Sequence, residues 1–224
     1  MSLMNESEIA CPNCLNRQKF HIWGSININI EPGLKQQLLD GELTTFICKN
    51  CGFQSLVEYD TLYHDMKNLR AFWLKYPKQE KVSEIDKIAK DFFSEFSEKY
   101  TTRLVTSYHE LIEKISIYDN GFNDFEIELL KLVISIRDGI DLSNPMYFTH
   151  QESPFFGSKK VVFLIIEGND YIEMKYPIKK DLNEFKSVLD KLLIDQLLTN
   201  NKWPYINRDA MLKLLKNAGM MSKI

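Results

Sequence analysis

Four cysteines in two Cys-x-x-Cys pairs, Cys11 with Cys14 and Cys48 with Cys51, constrain this 224-residue chain more than any other feature. A Cys-x-x-Cys turn curls its backbone so that two thiolates face one point, and two such turns complete the tetrahedral soft-ligand set that Zn2+ prefers. The 33 residues between Cys14 and Cys48 exceed the roughly 15 to 20 of a compact site and leave room for a strand, a turn and a second strand. Gly52, directly after the second pair, permits a bend that would aim its amide at a sulfur. Leu15 stands at the same place after the first pair. Four thiolates close the coordination shell to water and substrate, so such a metal stabilises a fold and does not catalyse. A ribbon this small has little core, and metal affinity then becomes folding free energy on the order of 10 kcal/mol. The same ligands accept iron. Dithiol redox chemistry, the other use of this spacing, needs the first cysteine at a helix N-terminus, whereas residues 15–30 read as a strand with no βαβ unit before them.

Around the cysteines, Ile22, Gly24, Ile26, Ile28 and Ile30 alternate with His21, Trp23, Ser25, Asn27 and Asn29, the period of two of a half-buried strand. Glu31-Pro32-Gly33 breaks it, residues 34–39 form a short helical turn stopped at Gly41, and residues 43–47 and 53–59 supply two further strands. The ribbon closes near residues 61–66. Capping boxes, in which a polar residue and an acid three positions on satisfy each other's backbone donors, pair Ser83 with Asp86, Ser107 with Glu110 and Asn123 with Glu126. They predict helices at 83–100, 107–118 and 124–138, with Gly121 and Gly139 as terminators. Ile127, Leu130 and Ile134, widened by Leu129, Leu132 and Val133, give the third of these an apolar stripe. Beyond Pro154 the period returns to two, predicting a hairpin of residues 161–167 and 171–178 around Gly168-Asn169-Asp170. Asp181 with Glu184 opens a helix at 182–198, Trp203-Pro204 interrupts, and a last short helix follows Asn207. The chain therefore reads as α+β: an N-terminal zinc ribbon with a small antiparallel sheet at 1–66, then a helical portion with a C-terminal β-hairpin and helices at 67–224, packed on the ribbon.

A hydrophobic content of 44% and a charged content of 26% are those of a globular protein. The longest apolar run, residues 161–166, has the length of a strand and falls far short of the ~18 residues of a membrane span. Met1-Ser2-Leu3 reads as an addition ahead of a start at Met4, without the basic and apolar regions of a secretory signal. Paired thiols that serve as ligands require a reducing compartment, so the expected location is the cytoplasm. Residues 1–66 hold Arg17, Lys19, Lys35 and Lys49 against eight acidic side chains. Four thiolates and one Zn2+ bring that segment to about −6, the wrong sign for a domain that must meet phosphates. Nucleic acid is disfavoured as a partner, and protein is the expected one.

Cys11-Pro12-Asn13-Cys14, residues 23–28, Leu38-Leu39-Asp40-Gly41-Glu42, Cys48-x-x-Cys51-Gly52 and Leu62-Tyr63-His64-Asp65 together resemble the bacterial CpXC domain family. The likeness covers residues 9–66 and continues toward Arg103-Leu104-Val105 and Leu111-Ile112-Glu113-Lys114. It implies a zinc site at the four cysteines and no particular activity, that family having none established.

The histidines offer the remaining chemistry. His64 beside Asp65 has the makings of a general base or an alternative ligand; the competing structural reading is that Leu62-Tyr63-His64-Asp65 closes the ribbon. His21 is a candidate outer contact of the metal site, while His109 in a helix and His150 in a loop read as solvated. Tyr59, Tyr63, Phe72, Trp73 and Tyr76 form an aromatic group expected to pack between ribbon and helices. The leading expectation is a non-catalytic interaction or regulatory module with a structural zinc; the alternative is an enzyme whose site at the ribbon–helix junction uses His64 and Asp65.

Overall fold

The computed structural model describes residues 2–77, 99–153, 158–178, 204–217 and 219. Of the helices expected at 83–100 and 182–198, only Lys99 and Tyr100 fall among these, in a turn. The chain divides into two compact units, Met1–Ile112 and Glu113–Ile224. No helix among the described residues is long and apolar enough to cross a membrane.

The first unit contains β1 (Leu3–Ala10), β2 (Arg17–Asn27), α1 (Gly33–Leu39), β3 (Thr45–Ile47), β4 (Gln54–Leu56), β5 (Thr61–Asp65), β6 (Arg70–Leu74) and β7 (Thr101–Val105). Five of its strands form one sheet in the order β1-β2-β5-β6-β7, and β3 pairs with β4 alone. The large sheet is mixed: β2 runs parallel to β5 and β6 parallel to β7, while β1/β2 and β5/β6 are antiparallel. Parallel neighbours need a long crossover, and the β2–β5 crossover is the segment that carries α1, the β3–β4 hairpin and the second cysteine pair. The sequence-based boundary at 66/67 falls between β5 and β6, whose registers run from Thr61 opposite Leu74 to Asp65 opposite Arg70.

Three features of this sheet were not foreseen. Strand β1 has no apolar alternation; Glu6 pairs with Lys19 at 2.7 Å and Glu8 with Arg17 at 3.6 Å across to β2, and Leu3, read as an addition, donates its amide to Ser25 Oγ. Strand β2 stops at Asn27, three residues before the alternation does. The Asn27 side-chain oxygen accepts the amides of Asn29 and Ile30, an Asx turn that competes with the ladder, and Ile30 is left 57% exposed. Strands β6 and β7 are the third feature: Tyr59, Tyr63, Phe72, Trp73 and Tyr76 are buried, with Tyr63 stacked on Phe72 at 5.7 Å across β5 and β6.

Helix α2 (Tyr108–Asp119) crosses the division between units, and α3 (Asp124–Asp138), β8 (Met146–Glu152), β9 (Lys160–Glu167), β10 (Asp170–Pro177) and α4 (Arg208–Asn217) follow. Asn123 and Glu126 form the predicted capping box, and Gly139 closes α3 at φ 70°, a left-handed conformation that favours glycine. The predicted hairpin is β9–β10; β8 joins its other edge, so the sheet order is β10-β9-β8. His150 thus lies on a strand, exposed, and not in a loop. The apolar stripe of α3 is two faces. Ile127, Leu130 and Ile134 join Met146, Phe148, Val161, Phe163 and Ile165 of the sheet, whereas Phe125, Leu129 and Leu132 join Ile206, Met211 and Leu215 around α4. A third face, Asp124, Glu128, Lys131 and Ser135, is equally buried and polar.

Candidate metal centre

Each cysteine pair is the turn of a β-hairpin. Residues 11–16 connect β1 to β2 and residues 48–53 connect β3 to β4, and the two turns carry the same hydrogen bonds. The Cys11 amide donates to the Asn16 carbonyl and the Leu15 amide to the Cys11 carbonyl, both at 2.9 Å. The Cys48 amide donates to Phe53 at 2.8 Å and the Gly52 amide to Cys48 at 2.9 Å. The chain turns left-handed at the same place in both, with φ 60° at Leu15 and 71° at Gly52. The expected Gly52 amide therefore serves a carbonyl, and the amide of Phe53, one residue further, is the one that holds the Cys51 thiol low.

Leu15 adopts this conformation at a cost of about 1–2 kcal/mol relative to a right-handed residue, and its side chain, 78% exposed, gains little in return. Leu15→Gly is expected to stabilise the first unit by about 0.5–1 kcal/mol, after the roughly 0.5–1 kcal/mol of extra chain entropy that glycine surrenders. A urea midpoint that falls in this variant would show that the side chain, and not the backbone, decides the matter.

The four sulfurs converge, each ligand atom within 4.8 Å of the others. Cys11 Sγ and Cys51 Sγ are 3.7 Å apart, and Cys14 Sγ and Cys48 Sγ 3.5 Å. Zn–S bonds of about 2.3 Å in a tetrahedron place sulfurs about 3.8 Å apart, whereas a disulfide needs about 2.05 Å. All four thiols are free, and the donor set fits a single tetrathiolate metal ion. Cys11 and Cys48 face inward, against Phe46, with Ile9, Phe20, Phe53 and Val57 around them; Cys14 is half-buried and Cys51 exposed. Burial pushes the Cys11 thiol up to about 11. Cys14 is brought down to about 6 by the Asn50 side chain and the Asn16 amide, which favour its thiolate.

Two contacts that sequence reading missed tie the knuckles together. Both pairs are Cys-x-Asn-Cys, and each asparagine reaches across: Asn13 Nδ2 donates to Cys51 Sγ at 3.6 Å and Asn50 Nδ2 to Cys14 Sγ at 3.5 Å. The repeated asparagine was the available signal. In addition, Gln18 of β2 donates to the Ile47 carbonyl and accepts from the Lys49 amide, both at 2.8 Å, in effect extending the sheet by one side chain.

The other residues singled out in the sequence lie apart from the sulfurs. His21 is opposite Glu6 on the β1–β2 ladder, its ring 3.8 Å from that carboxylate and 57% exposed. His64 is half-buried, with Nε2 3.1 Å from the Tyr100 hydroxyl, and burial lowers its pKa. Asp65 is 1% exposed, and its two oxygens accept the backbone and side-chain nitrogens of Asn68 at 3.0 and 2.7 Å. Neighbouring residues of a strand leave opposite faces, so Asp65 shapes the β5–β6 turn while His64 meets Tyr100.

Two hairpins with matching cysteine knuckles, one of them the β1–β2 edge of the mixed sheet, bring four thiols close enough to hold one metal ion. Residues 9–131, more than half of the chain, match the family described as CpXC protein, and the chain belongs to the CpXC family. The match runs beyond the expected end, through α2 and into α3, and takes in the buried charges of both helices. No curated protein and no solved structure matches the chain.

Proposed function

We propose that the protein binds one structural Zn2+ through Cys11, Cys14, Cys48 and Cys51 and works as a non-catalytic protein-interaction module in a reducing compartment, the cytoplasm. The observation that carries this reading is the convergence of four free thiols at separations of 3.5 and 3.7 Å between knuckles, near the edge of a zinc tetrathiolate, about 3.8 Å. A closed shell offers substrate no coordination position. Beside the centre, Ile47 and Leu56 occupy one face of the β3–β4 hairpin, 52% and 45% exposed, which is apolar surface of the kind a protein partner covers. The acidic balance of residues 1–66 opposes a nucleic-acid partner.

Elemental analysis of the purified chain is expected to return one zinc per molecule. Cross-linking in lysate is expected to yield a protein adduct that Ile47→Asp and Leu56→Asp abolish. Stoichiometric iron, or no metal after purification without chelator, would overturn the zinc reading. An adduct unaffected by both substitutions would overturn the interaction surface.

A further inference from the structure

We propose that Asn13 and Asn50 are reciprocal positioning residues that hold the two solvent-facing thiolates of the metal centre and slow the loss of its ion. The inference rests on the zinc reading above and concerns what this chain adds to it. Each asparagine occupies the third position of its own knuckle, yet donates to the last cysteine of the other, Asn13 to Cys51 and Asn50 to Cys14. The exchange is selective. Its acceptors are the exposed Cys51 and the half-buried Cys14, whereas Cys11 and Cys48 are 0% and 2% exposed and covered by Phe46 and its neighbours.

Four thiolates around Zn2+ leave the centre with a charge of about −2, and a nitrogen donor on a sulfur draws off part of that charge and fixes the direction of the lone pair. Metal leaves such a site when a proton, water or chelator reaches one thiolate, and here only the Cys14–Cys51 side faces solvent. The two side-chain amides stand on that side. They also join residues 38 and 36 positions apart in sequence, so each bond crosses between hairpins. Opening one knuckle away from the other must break both.

The test uses the full chain carrying Asn13→Ala, Asn50→Ala, both together, and the isosteric Asn13→Asp and Asn50→Asp, which keep the shape and remove the donor. Zinc affinity is expected to fall about 10–100-fold for each alanine variant and further for aspartate, with faster release to a colorimetric chelator. In Co2+-loaded protein, the thiolate-to-metal charge-transfer band is expected to move to lower energy, since sulfur without its donor is richer in electrons. That band is read only on folded, metal-loaded molecules, so a loss of packing does not imitate it. Variants with unchanged affinity, release rate and band position overturn this inference alone. A native chain that takes up neither Zn2+ nor Co2+ overturns the zinc reading and the inference together.

Discussion

Cys48→Ser is expected to strip the metal from the chain and to open both knuckles while β5 and β6 stay paired. Cys48 is 2% exposed and belongs to a small cluster with Cys11 and Phe46. A serine there offers zinc a poor ligand and leaves a hydroxyl buried without a partner. On the proposed zinc reading, so few apolar side chains do not hold two hairpin turns closed by themselves, and the binding free energy of a structural zinc, about 10 kcal/mol, supplies what they lack. Hydrogen exchange reads the outcome residue by residue. The amides of Cys11, Leu15, Cys48 and Gly52, each bonded inside its own knuckle, are expected to lose protection, and those of the β5–β6 ladder to keep it. Cys51→Ser, at the exposed corner, leaves the buried Cys11 and Cys48 and the half-buried Cys14 in place and is expected to bind metal more weakly without opening the turns. Acid should imitate Cys48→Ser, because ligand thiolates must lose their protons to bind. Equal protection of the knuckle amides in metal-loaded and chelator-treated protein would refute this account.

How far the sequence carries depends on whether a signal is local. Cysteine spacing, the Asn123 capping box and the Gly168-Asn169-Asp170 turn are written within a few residues, and the site, α3 and the β9–β10 hairpin are legible from them. Strand β1 is not, because its partners Lys19 and Arg17 are decided by register across a hairpin whose turn is itself a cysteine knuckle. Strands β6 and β7 are invisible for a related reason: their pairing is set by a sheet whose neighbours are distant in sequence. Within the site, the four sulfurs are legible, but the cross-knuckle asparagines become contacts only when the two turns meet. His64 and Asp65 show the converse, a local signal that tertiary structure divides. The alternative reading placed these sequence neighbours in one site, and the pleat of β5 sends their side chains to opposite faces. On α3, the positions Asp124, Glu128, Lys131 and Ser135 follow the helical repeat as strictly as its apolar residues do. A polar stripe of that regularity reads as a solvated face until both of its flanks prove buried.

That stripe carries the second large effect. Lys114, 2% exposed, holds Glu128 at 2.9 Å and Asp124 at 3.4 Å; Lys131 holds Glu113 at 2.5 Å and Glu128 at 3.1 Å. Glu113 also accepts the Phe148 amide of β8, Tyr118 donates to Asp124, and Arg208 of α4 reaches Ser135 on the same face. Lys114→Met is expected to destabilise the second unit by about 3–5 kcal/mol, because buried Asp124 loses its lysine partner and Glu128 keeps only Lys131. Replacing Lys114 and Glu128 together by apolar residues should cost much less. Three carboxyl groups face two lysines here, and the odd one is Glu113. Burial pushes it up to about 7, against 4.5 for a free side chain, with Lys131 pulling the other way. The folded state thus keeps a proton that the unfolded chain has lost between these values. The associated stability is complete below pH 4.5 and disappears as pH rises through 7. Glu128 behaves oppositely: burial would raise it, but Lys114 and Lys131 outweigh that and hold it low, so its contribution is lost in acid. From pH 5.5 to pH 8 the folding equilibrium of the second unit is expected to fall about thirtyfold, roughly 2 kcal/mol. Glu113→Gln, which still accepts from Phe148, is expected to flatten that slope, and exchange at the Phe148 amide measures it. A wild-type slope that survives Glu113→Gln would place the titrating proton on another group.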